Sequence, residues 1–111
     1  MIIEMIKGDD LRVILNVRDT SGDVVDLTGA TSIEWAAATN YGATPALTKT
    51  LAAGTIVISG PGVIYFDIES TDSGALSVAN YKQETQIVTN GGLTYTVGQG
   101  ILRIKPEIIG A

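Results

Sequence analysis

Apolar and polar residues alternate with a period of two along most of this chain, and clusters of Gly, Pro, Asn, Asp and Ser interrupt the alternation at short intervals. Strands with one buried face, joined by tight turns, produce this pattern. The cleanest run covers residues 11–18. There Leu11, Val13, Leu15 and Val17 share one face, and Arg12, Ile14, Asn16 and Arg18 share the other. In residues 63–69, Ile64, Phe66 and Ile68 face one way, while Val63, Tyr65, Asp67 and Glu69 face the other. Further strands are expected over residues 2–6, 24–27, 32–38, 46–51, 55–59, 81–88, 93–97 and 101–105. Ile33, Trp35 and Ala37 form the inward set of 32–38, and Trp35 is expected to be the largest block of the core. The 46–51 run reads as an edge strand, with Lys49 discouraging further pairing.

The breaks are as informative as the runs. Lys7-Gly8-Asp9-Asp10, residues 19–23 around Gly22, Gly60-Pro61-Gly62 and Asn90-Gly91-Gly92 all read as turns. Gly98 and Gly100 mark a bulge between the last two runs. Between residues 69 and 81 the chain is too short and too polar for more than a single helical turn near Asp72, with Leu76 plugging the core. Tyr81 then opens a strand whose ring can lie on the core while its hydroxyl bonds backbone of the preceding corner, the logic of a tyrosine corner. The inward set that follows, Tyr81, Gln83, Thr85 and Ile87, is more polar than the others. It fits a half-buried strand, or one whose face another subunit completes. With no helical period beyond one turn, the expectation is a single all-β domain over residues 1–111, an antiparallel sandwich or barrel of about eight to ten short strands.

Composition narrows the functions open to such a domain. Hydrophobic residues make up 45% of the chain and charged ones 17%, a balance that builds a core and argues against disorder. The absence of cysteine excludes disulfides and thiolate metal sites, and the absence of histidine removes the commonest general base and metal ligand. Net charge is −5 and the seven basic residues are scattered from Lys7 to Lys105, so no nucleic-acid partner is expected. Apolar runs are only a few residues long, too short for a transmembrane helix, and no membrane partner is expected. The start, Met1-Ile-Ile-Glu-Met-Ile-Lys, lacks the basic region and long apolar core of a secretory signal and reads as a first strand. Met1 favours a whole small protein over an excised domain.

Carboxylates are the remaining candidates for chemistry. Asp19, Asp23 and Asp26 lie close in sequence, as do Asp67, Glu69 and Asp72, and converging loop acids can hold calcium. Their spacing matches no calcium loop, however, and Asp19 and Asp23 are ordinary turn residues. Ser59, Ser70, Ser73 and Ser77 have no base to activate them. No catalytic, cofactor-binding or metal-binding residue is assigned, and the chain is not expected to be an enzyme. Two surfaces remain. Ile2, Ile3 and Met5, with Ile108 and Ile109 after Pro106, are candidate interface residues. Tyr41, Tyr65 and Tyr95 are candidate loop contacts that a carbohydrate- or receptor-binding module would use as a stacking platform.

Six segments resemble a known family in order and spacing over nearly the whole chain. They are I-K-G-D-D-L-R-V-I-L-N-V-R-D, S-G-D-V-V-D-L-T-G-A, S-I-E-W, L-T-K-T, the corner D-I-E-S-T-D-S-G-A-L-S-V-A-N-Y, and V-G-Q-G-I-L-R-I-K-P. Together they resemble the small immunoglobulin-like modules of tailed-bacteriophage virions, such as the N-terminal domain of baseplate upper proteins. Gln83 and Thr85 stand where such modules tend to carry aromatic or aliphatic residues after the corner tyrosine. The resemblance implies an immunoglobulin-like sandwich and a non-catalytic structural role in the virion, in a baseplate, tail, neck, fibre or head decoration. It also implies other virion proteins as partners, a homo-oligomer such as a trimer or ring, and assembly in the cytoplasm of the host bacterium.

Overall fold

The computed structural model describes residues 1–109; Gly110 and Ala111 of the expected C-terminal tail lie outside the described residues. Among these, the chain forms eight strands and one short helix: β1 (Ile2–Ile6), β2 (Leu11–Asn16), β3 (Ser32–Ala38), β4 (Leu47–Thr50), β5 (Ile56–Gly60), β6 (Val63–Ile68), α1 (Ser70–Ala75), β7 (Ala79–Val88) and β8 (Thr94–Lys105). They build a five-stranded sheet of order β1-β8-β7-β3-β4 and a three-stranded sheet of order β2-β6-β5. Strand by strand this is an immunoglobulin-like β-sandwich. β2, β6 and β5 form one sheet, and β8, β7, β3 and β4 form the other with the neighbours that the Greek-key connections of that fold require.

One pairing departs from the all-antiparallel expectation. β1 runs parallel to β8, with Ile2 beside Ile101 and Ile6 beside Lys105. The cause is the turn at residues 7–10, which carries the chain from one sheet to the other instead of closing a hairpin. β1 therefore pairs with the last strand and leaves β2 to pair with β6.

The alternation sorts the side chains as expected. Ile33, Trp35, Ala37, Ile64, Phe66, Ile68, Ile87 and Leu102 are buried between the sheets. Trp35 and Phe66 meet with ring centroids 4.6 Å apart. Tyr81 is buried and its hydroxyl donates to the Ser77 carbonyl at 2.9 Å, closing the tyrosine corner. Leu76 fills the core beneath α1. The first turn of that six-residue helix is fixed by a capping box, in which Asp72 accepts from the Glu69 backbone N–H. On the polar strand β7, Gln83 and Thr85 are fully buried; Gln83 Oε1 accepts the Trp35 indole N–H at 2.9 Å, and Thr85 Oγ1 has no hydrogen-bond partner among the described residues.

Two local expectations are corrected. Residues 24–27 form no strand; the segment makes an isolated bridge between Arg18 and Val24, then bends where Asp26 Oδ1 accepts the Thr28 N–H. Val25 and Leu27 are still buried and plug that end of the core. The two runs 93–97 and 101–105 are one continuous strand, β8. Gly98, at φ +66°, accommodates an extra residue, so Gln83 sits opposite Gly100 and Thr85 opposite Val97. Lys49 lies on the edge strand β4 but points inward opposite Trp35, buried, and bonds Asp72 at 2.7 Å. An inward charge also blunts a sheet edge, so the edge is protected from inside rather than from solvent.

Gly100 fixes the start of β1. A Cβ there would overlap the Met1 carbonyl, which accepts the Ile101 N–H at 3.0 Å. Gly100→Ala is therefore expected to push Met1 off β8 at a cost of about 1–3 kcal/mol. Hydrogen exchange should show the Ile101 amide losing protection while β3 and β7 keep theirs. Unchanged protection at Ile101 would refute the close packing.

Candidate functional site

The acids do not converge. Among the described residues no group of three acidic side chains is placed to hold a metal ion. Instead the structure engages them singly. Asp19 Oδ1 accepts the N–H groups of Ser21 and Asp23, closing its own turn. The Asp26 carboxyl is held below the usual carboxylate range by the backbone N–H and hydroxyl of Thr28. Asp67 takes a bidentate pair from Arg12, at 2.8 and 3.0 Å, and that hydrogen bonding lowers its carboxyl as well. Asp72 serves Lys49 and the helix cap. Ser73, the one buried serine among the four considered, donates to the Asp9 carbonyl and accepts from the Gly8 N–H, tying α1 to the β1–β2 turn.

The three tyrosines lie apart. Tyr41 is exposed in the β3–β4 loop. Tyr65 lies on the outer face of the three-stranded sheet, with the Arg12 guanidinium 4.3 Å over its ring. Tyr95, at the start of β8, is half-buried against the core. No common platform joins them, and the Arg12 cation covers the Tyr65 face that a sugar would stack on.

The candidate interface residues divide. Ile3 and Met5 are corrected to core residues: they are 7% and 6% exposed, because the inward face of β1 packs between the sheets. The outward residues of β1 remain at the surface. Ile2 is 59% exposed beside Ile101, Ile6 lies beside Lys105, and between them Glu4 pairs with Arg103. Ile108 and Ile109, beyond Pro106, are 102% and 85% exposed.

The loops gather at two poles. At one, the 17–31 segment meets the β5–β6 turn and the β7–β8 loop: Val17 N–H donates to the Gly62 carbonyl, and Gly29 lies against Asn90. At the other, Lys7 Nζ donates to the carbonyls of Gly74 and Leu76, its N–H donates to Lys105, and the 106–109 segment departs. The first pole carries a feature that sequence reading missed, an apolar cleft of about 520 Å³ between residues 24–29 and the Gly60-Pro61-Gly62 turn, with Ile58 in its wall. The signal was present in Val24 and Pro61, but only the failure of 24–27 to join a sheet opens the space.

No family model matches this chain, and no curated protein does. Solved structures similar to it include murine CRIg, at 13% identity and a TM-score of 0.39, covering 96% of this chain and 92% of that one. Nothing about function follows from that likeness.

Proposed function

We propose that this chain is a non-catalytic structural subunit of a tailed-bacteriophage particle, in a baseplate, tail, neck, fibre or head decoration, acting by self-assembly or by docking on another virion protein. The observation that carries the reading is the pair of solvent-exposed apolar elements: Ile2 and Ile6 on β1, and Ile108 and Ile109 beyond β8. Large side chains left in water at a strand edge and on a chain segment are the usual raw material of a contact between proteins. The sequence resemblance to virion modules supplies the setting. Localisation in the virion and a ring or trimer are part of the same proposal.

Absolute mass by light scattering behind a sizing column, over about a hundredfold range of concentration, tests it. The expected result is a discrete oligomer, or a mass that rises with concentration above the 11.6 kDa monomer. A monomer throughout overturns self-assembly. Docking then has to appear as a raised melting temperature with purified virion proteins, and its absence there overturns the reading as a whole.

A further inference from the structure

We propose that copies of this chain associate pole to pole, with Ile108 and Ile109 of one copy seated in the cleft formed by Val24, Ile58 and Pro61 of the next. The inference rests on the assembly reading and names the two surfaces that meet.

The two halves lie at opposite ends of the molecule. β8 starts at the cleft pole and ends at the other, where Pro106 terminates it and sends the next residues away from the sheet. Residues 106–109 span at most about 14 Å when fully extended. The molecule measures 46 Å along its longest dimension, which the twelve-residue β8 must follow. The segment therefore cannot fold back into its own cleft; only another copy's cleft is within reach. Both isoleucines are as exposed as free residues, so the monomer provides no cover for them.

The cleft is suited to an apolar guest. Val24, 48% exposed, Ile58, 38% exposed, and Pro61 supply its accessible apolar surface, and glycines with Asp26 and Thr28 complete the lining. Its volume of about 520 Å³ falls in the range of sites that enclose small ligands. Charge is close to neutral in its effect. Lys105, exposed just before the segment, has the sign that meets the ionised Asp26 at the mouth, while Glu107 has the opposite sign. Burial of the two isoleucines is therefore what holds the contact. Because segment and cleft are different surfaces, the contact is heterologous and yields a ring if the rotation closes or a filament if it does not.

The test uses three full-length chains: wild type, the tail variant Ile108→Asp/Ile109→Asp, and the cleft variant Val24→Glu. Thr28→Glu, exposed at the same mouth, replaces Val24→Glu if that variant melts early. The expected result is a wild-type mass that rises with concentration, up to about 1 mM, and a loss of at least about tenfold in association for each variant alone. An equimolar mixture of tail and cleft variants should then form a 1:1 dimer and nothing longer, since one supplies only a cleft and the other only a segment. Association that survives in the tail variant overturns this docking while leaving assembly through another surface, such as β1, intact. A mixture that stays monomeric also overturns it. A wild type that is monomeric throughout overturns both the docking and self-assembly.

Discussion

Trp35→Ala should lower stability by about 3–5 kcal/mol, the largest effect expected of any single truncation in this domain. Trp35 is fully buried on β3, the strand beside the edge of the five-stranded sheet, and meets Phe66 across the gap between the sheets, ring planes tilted by 31°. Truncation removes the apolar surface of the indole, leaves a cavity that two hydrogen-bonded sheets cannot close, and orphans a polar group. That group is Gln83, 1% exposed, whose Oε1 has the indole N–H as its partner at 2.9 Å. In a domain of this size the melting temperature should fall by about 15–30 °C, read by circular dichroism. Trp35→Phe shifts the balance between the two terms: it keeps a ring in the core, leaves a smaller cavity than alanine and still loses the donor, for an expected cost of about 1–3 kcal/mol. Combined with Gln83→Leu, it should recover part of that cost, since the orphaned acceptor is then gone. A Trp35→Ala melt within a few degrees of wild type would mean that the two sheets hold together without this plug.

The Trp35–Gln83 pair also shows what the sequence does and does not make legible. That Trp35, Phe66 and Tyr81 face inward follows from period two alone, because a one-residue slip would turn every side chain on the strand to the opposite face. That β7 carries polar residues inward is equally visible, at Gln83 and Thr85. Which partner satisfies Gln83 is not, because it depends on β3 pairing with β7 in a register that sets Ala37 opposite Gln83 and so brings Trp35 within reach; Thr85 Oγ1 is buried with no hydrogen-bond partner among the described residues. A clue lay in the spacing. Gln83 stands two residues after the corner tyrosine, where antibody-type sandwiches place the second cysteine of their inter-sheet disulfide, beside the buried tryptophan. In a chain without cysteine, a side chain that bonds that tryptophan is one alternative to the cross-link.

The candidate surface was legible to a similar depth. Alternation along β1 separates Ile3 and Met5 from Ile2, but only once one knows which face lies against the core, and apolar residues on both faces leave that undecided. The parallel partner of β1 depends on where the 7–10 turn sends the chain, and the cleft depends on a segment that looks like a strand but bends at Asp26. The first is a consequence of non-local contacts, which no window on the sequence contains; the second is a local turn that the apolar run Val24-Val25 masks.

Asp72→Ala is the second large effect expected, about 2–4 kcal/mol, through the charge that it strands. Lys49 reaches inward from the edge strand β4 with 7% of its surface exposed, and Asp72 Oδ2 at 2.7 Å is its counter-charge. The same carboxylate caps α1 through the Glu69 N–H at 2.9 Å, so the substitution removes an ion pair and a helix cap together. Asp72→Asn separates them by keeping an oxygen for the cap while removing the charge. Burial pushes the Asp72 carboxyl up, but the Lys49 and Glu69 hydrogen bonds outweigh it and hold the group below the usual carboxylate range. A carboxyl lowered by folding contributes stability above its unfolded pKa of about 3.9 and loses it as pH falls through the folded value. The gap between wild type and Asp72→Asn should therefore be constant above about pH 5 and narrow progressively below about pH 4. Denaturant melts across that range read it directly, and a gap that widens in acid would reverse the assignment. Lys49→Met should cost less than Asp72→Ala, for a geometric reason. Asp72 is 24% exposed on its side chain and keeps the Glu69 N–H, so it is hydrated and bonded without the lysine, whereas Lys49, at 8%, has far less water to turn to.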